Sequence, residues 1–126
     1  MGLAYAKVTL RNPRLPKLKP VEVKALADTG SATLCIPQEI ALQLKLETVQ
    51  ERVATLASGE KRAVPYVGPI QASFEDRTCF VGALVMGDEV LLGAVPMEDM
   101  DLVVSPLRES VTAHPASPNI PQAKVK

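Results

Sequence analysis

The sequence predicts a small all-β fold, barrel-like or sandwich-like, with one or two short helices. Three observations lead there. Short apolar runs recur along the chain, separated by Gly, Pro, Asp and Ser. Two pairs of these runs are joined by connections short enough for hairpins. The chain has 126 residues, 47% of them apolar, which is enough for one domain with its own core. Only 3% of residues are aromatic and Trp is absent, so that core must be built from Val, Leu, Ile, Ala and Met.

Residues 3–10, LAYAKVTL, alternate loosely and read as a strand. The next stretch, RNPRLPKLKP, carries Pro13, Pro16 and Pro20 and reads as a loop. VEVKALA (21–27) begins with alternation and ends apolar on both faces, so this strand starts half-exposed and finishes buried. Residues 28–31, DTGS, form a turn, and ATLCI (32–36) is a short apolar strand. Residues 37–44 suit a short helix, with Pro37 in the first turn and Glu39 at the positive end. TVQERVATL (48–56) and KRAVPYV (61–67) flank ASGE as a hairpin, and Pro65 requires an edge or a strand end. PIQASFE (69–75) and TCFVGALVM (78–86) flank Asp76 and Arg77 as a second hairpin. VLLG (90–93), a helical turn over 96–100 and LVV (102–104) follow. Residues 112–126 hold Pro115, Pro118 and Pro121 with little apolar periodicity, and read as an extended or mobile tail.

Fourteen basic and fourteen acidic residues cancel, so no global charge argues for nucleic acid or a membrane surface. The charge is unevenly placed. Residues 1–27 carry six basic side chains against Glu22, a net of +5. Residues 75–109 carry eight acidic side chains against Arg77 and Arg108, a net of −6. Such runs make two solvated faces of opposite sign, or a self-complementary assembly of basic end against acidic end. Cys35 and Cys79 sit in apolar runs and read as buried reduced thiols. The one histidine, His114, lies in the Pro-rich stretch, so no metal-ligand spacing exists. The start of the chain lacks a secretory pattern, and no segment reaches the roughly 20 apolar residues needed to span a bilayer. The expectation is a soluble cytoplasmic protein without metal or cofactor, binding neither nucleic acid nor membrane.

The chemistry centres on Asp28, Thr29, Gly30 and Ser31. A carboxylate at the end of an apolar strand needs a partner or a task. A bare D-T-G also suits a turn-capping Asp, whose side chain bonds the next amides. The context adds weight. The strand before Asp28 is apolar on both faces, and a second apolar-apolar-Gly element, Leu91-Leu92-Gly93, lies downstream of a hairpin. A Ser or Cys hydrolase would need a well-placed His, and phosphate-cradling glycine motifs are missing.

Residues 25–37, ALADTGSATLCIP, with VLLGAVPMEDM (90–100) and the hairpin between, resemble the retroviral-type (retropepsin-like) aspartic proteases. The resemblance covers about residues 3–105 and is nearest to small single-domain prokaryotic members. It departs at Ala27, where many relatives have a larger apolar residue, and at Ala94, where many carry Asp or Asn. It implies a closed-barrel-like acid protease fold over residues 1–107, followed by a Pro-rich tail over 108–126. It implies Asp28 as the catalytic residue, supported by Thr29, Gly30 and Ser31. Ser58 and Gly59 would be the flap tip that closes on a peptide or protein substrate. Carboxylate-driven peptide hydrolysis uses two carboxyl groups sharing one proton. The chain has one D-T-G, so an active enzyme must be a homodimer with an Asp28 from each copy. The alternatives are a non-catalytic dimeric module of the same fold that binds peptide strands by edge pairing, and a structural dimer with a closed groove.

Overall fold

A computed structural model describes residues 3–105 and 107–125. Nine strands and two short helices follow one another along the described chain. Strand β1 (Tyr5–Arg11) turns Ala6, Val8 and Leu10 inward and its alternate residues outward, as its sequence alternation requires. It pairs antiparallel with β2 (Val21–Ala27), Val8 opposite Val23. The Pro-rich loop between them is tied down by Asn12. Its buried amide donates to the Leu44 carbonyl at 2.9 Å and accepts from Arg14 N–H at 2.9 Å.

All three residues of β3 (Leu34–Ile36) are buried, because the strand is paired on both sides. Helix α1 (Gln38–Gln43) follows Pro37. Strands β4 (Glu47–Thr55) and β5 (Lys61–Phe74) form the first expected hairpin. Where the sequence suggests two strands, 61–67 and 69–75, parted at Gly68, β5 runs on through Gly68 and Pro69. The register to β6 (Arg77–Val85) slips between Val67 and Ile70 to absorb them. Pairing with β6 starts at Tyr66, so Pro65 lies in a stretch of β5 bonded to β4 alone, which meets the requirement for an edge.

Strand β7 (Leu91–Leu92), helix α2 (Ala94–Asp99), β8 (Leu102–Ser105) and β9 (Ser110–Ala113) complete the order. The sheet runs β4-β5-β6-β3-β7-β2-β1-β9-β8, and a further β1–β5 pairing turns part of it into a ring of strands. Leu10, Leu34, Ile36, Leu44, Ile70, Leu92 and Met100 are fully buried inside. Phe74 is the one buried aromatic, so the core has the aliphatic make-up the composition demands.

The Pro-rich stretch makes specific bonds to the body. Residues 110–113 pair with β8, and Ser110 sits opposite Tyr5. Beyond them, Arg77 leaves the expected turn and buries its guanidinium. It donates to the carbonyls of Met100 at 3.2 Å and Asp101 at 2.9 Å, and to that of Ser117. The Asp101 carboxylate accepts from the Ser117 hydroxyl and, at 2.9 Å, from Gln122 N–H. Among the described residues no helix is long and apolar enough to cross a membrane.

Candidate active site

The topology sets the site. Strands β2 and β3 are consecutive in sequence, yet β7 lies between them, parallel to β2 and antiparallel to β3. The connection from β2 to β3 must therefore arch over the end of β7. That connection is residues 28–33, and the end of β7 is Leu92 and Gly93. Leu26 N–H bonds the Val90 carbonyl at 2.9 Å and Asp28 N–H bonds that of Leu92 at 3.0 Å. The carbonyls of Ser31 and Ala32 accept from Ala94 and Val95 N–H, both at 2.8 Å. The arch is thus stitched to β7 and to the first turn of α2. Gly93 is required beneath it, since any Cβ there would collide with the backbone of Ser31 and Thr33.

Asp28 is half-buried at the start of the arch. One carboxylate oxygen accepts from Gly30 N–H at 2.9 Å, and the other from the Ser31 hydroxyl at 3.4 Å. A Cβ on residue 30 would stand 3.1 Å from the first oxygen, so glycine is what lets this amide come close. These are the bonds of a capped turn. They orient the carboxylate without neutralising it, and no cation pairs with it among the described residues. The charge is felt inside the core. The buried Cys35 thiol is pushed up, first by burial and then by the Asp28 carboxylate. Cys79 is pushed up to about 11, by burial and then by Asp99. Both thiols stay protonated and inert at neutral pH, as their apolar surroundings suggest.

Asp28 and the exposed Thr29 open onto a cleft of about 620 Å³. Leu3, Met97, Val103 and Val104 supply apolar walls, and Glu98 supplies a second carboxyl group. Sequence reasoning missed Glu98, because α2 brings it to the cleft from 70 residues downstream of Asp28. Strand β8, which contributes the two valines, ends the sheet order and has one unpaired edge. Ser58 and Gly59 lie elsewhere, at the tip of the β4–β5 hairpin, and are not among the residues lining this cleft. The tip is closed by Leu56 N–H to the Glu60 carbonyl at 2.8 Å, with Gly59 at φ +90° where a side chain would be strained. Ala54 is the one buried residue of β4, so this arm stands away from the core.

No protein-family model and no curated protein matches the sequence. Solved structures do match. The solution structure of a simian foamy virus protease aligns with a TM-score of 0.53 at 15% identity, over 74% of this chain and 90% of that one. The chain has the fold of a retroviral protease. A Legionella pneumophila protein of unknown function aligns with a TM-score of 0.46 at 13% identity, over 85% of this chain and 95% of that one.

Proposed function

We propose that this chain is an aspartic endopeptidase that works as a homodimer, with Asp28 of each copy forming the catalytic pair. The observation that carries the reading is the state of Asp28. Its carboxylate is oriented by Gly30 and Ser31, free of cations among the described residues, and open to a cleft in a retroviral-protease fold. Two such groups about 3 Å apart cannot both ionise, so they hold one proton between them. The ionised partner takes a proton from a bound water as the water attacks the scissile carbonyl carbon. The protonated partner donates its proton to the carbonyl oxygen. Collapse of the tetrahedral intermediate breaks the C–N bond and protonates the leaving amine.

In this reading Thr29, exposed beside Asp28, braces the two arches across the dimer. Ser58 and Gly59 close over an extended substrate, and the exposed β4–β5 arm carries them there. Residues 1–107 form the catalytic unit, and residues 108–126 stand outside the reacting machinery. The reaction needs one carboxyl group as base and one as acid, so the rate falls on both the acid and the alkaline side.

The test is cleavage of a diverse peptide library from acidic to neutral pH. Wild type at fixed amount is mixed with a growing excess of Asp28→Asn after dissociation and reassociation. One carboxylate per copy predicts that activity falls as mixed dimers replace wild-type ones. Activity that tracks the wild-type amount alone overturns the shared pair. Retained activity in Glu98→Gln excludes Glu98 as the partner of Asp28 within one chain. Peptide binding without turnover at any pH favours the non-catalytic module instead.

A further inference from the structure

Away from the Asp28 cleft, two notches meet at Arg14. The first, about 430 Å³, is floored by Leu15, Pro16 and Leu18 and edged by Arg14, Lys17 and Lys45. The second, about 360 Å³, runs along the outer face of β5 and β6 from Arg14 past Val49, Tyr66, Pro69 and Phe80. No acidic residue lines either notch, and neither shares a residue with the Asp28 cleft.

Five features mark this as a built surface. Its apolar side chains are unusually open, with Phe80 and Val49 both 64% exposed. The chain has four aromatic residues in all, and two of them stand here. Two neighbouring strands break register at the same place. Val49 is the unpaired residue of a bulge in β4, and Gly68 and Pro69 interrupt the β5–β6 register beside it. Bulges re-aim side chains and cluster next to functional sites. The groove floor is backbone, because Gly68 packs on Gly82 and a Cβ on residue 82 would run into the Tyr66 ring. The rim is cationic. The Arg52 guanidinium lies 3.6 Å from the centre of the Tyr66 ring, and Asn12 holds the Arg14 loop against the end of α1.

We propose that this double notch docks an extended acidic polypeptide segment through one apolar anchor, seated between Phe80 and Val49. The charge decides the partner's sign: Arg14, Lys17 and Lys45 line the notches and no acid does, and outside them Glu47 pairs with Arg14 at 3.9 Å, which leaves Lys17 and Lys45 in excess. The shortage of open aromatic faces decides for a peptide over a nucleic acid. Arg52 already covers a face of Tyr66, which leaves Phe80 as the groove's open aromatic, too little to stack successive bases. The site goes beyond the endopeptidase reading and does not depend on it.

The test uses fluorescence anisotropy on the full chain carrying Asp28→Asn, so that peptide capture is read without cleavage. The probe is a fluorescein-labelled dodecapeptide of Asp and Glu with one central Phe. Saturable binding is expected, weakened by salt and by at least about fivefold in Arg14→Glu or Phe80→Ser. Both positions are exposed, and circular dichroism confirms that the variants stay folded. Equal binding of the wild-type Asp28 chain under brief exposure separates this site from the cleft. The proposal is overturned by no binding, by equal binding of a Lys-for-Asp/Glu probe, or by indifference to both variants. Stronger capture of oligothymidine or of phosphatidylserine vesicles through the same residues also overturns it.

Discussion

Asp28 and Asp101 are bonded alike and differ in what the bonds accomplish. Each carboxylate accepts from one backbone N–H and one serine hydroxyl. For Asp28 the donors are Gly30 and Ser31, two and three residues away. For Asp101 they are Ser117 and Gln122, sixteen and twenty-one residues away. Local donors shape a turn and leave the carboxylate facing the cleft. Distant donors spend the carboxylate on holding a chain segment in place, and Arg77 completes the tie with an ion pair at 3.8 Å. The same acceptor chemistry thus serves a poised group in one place and an anchor in the other.

The sharpest way to break this comparison is to neutralise each group in turn. Asp28→Asn is expected to lower peptide cleavage by about a thousandfold or more, with thermal stability little changed. Asp101→Asn is expected to do the reverse, sparing cleavage while loosening residues 114–125. Parallel kinetics and thermal melts check both. If the two variants behave alike, the division between poised and anchoring carboxylate is wrong.

Arg77 tests the anchor from its other side. Its guanidinium is buried against three carbonyls and Asp101, and Arg77→Met keeps the apolar stem while stranding those acceptors. A loss of about 3 kcal/mol in urea unfolding is expected. Proteolytic cuts should appear within residues 114–125 before the rest of the chain is touched. Gly93 tests the arch that carries Asp28. Gly93→Ala drives a methyl group into the backbone of Ser31 and Thr33, and about 1–3 kcal/mol of stability is expected to go with it. Cleavage should fall further than stability explains, because the displaced loop is the one that orients the carboxylate.

The comparison also explains what could be read in the sequence. The Asp28 turn was legible because its donors are its own neighbours, and the strands around it announce themselves as short apolar runs. The insertion of β7 between β2 and β3 was not, since nothing in Leu91 or Leu92 says which strands flank them. Arg77 follows Asp76 between two apolar runs and so reads as a turn residue. Its acceptors lie 23 to 40 residues downstream, at distances no local pattern reports. The final prolines suggested an extended or mobile tail, and the bonds that part of it makes to the body were hidden for the same reason. Strand β9 and Ser117 become ordered by partners in β8, β1 and the Arg77–Asp101 pair. Glu98 belongs with these, a solvated helix residue by sequence and a cleft residue by topology.

The smallest effect is the most specific to the anchor. The Ser117 hydroxyl and then Gln122 N–H, with lesser help from His114 and Arg77, hold the Asp101 carboxyl below the ordinary aspartate range. A depressed folded-state value means the tie is fully present above the ordinary Asp pKa of about 3.9 and is lost as pH falls through the lower folded value. The Gln122 amide should therefore keep its protection from hydrogen exchange from neutral pH down to about pH 4, and lose it only in stronger acid. In Asp101→Asn the protection should be weaker and flat across the same range, because the titrating acceptor is gone. Loss of wild-type protection well above about pH 4 would mean that a group other than Asp101 governs the segment. The amide of Gly30, bonded to Asp28 by the same kind of contact, supplies the internal control, since its exchange should not respond to Asp101→Asn at any pH.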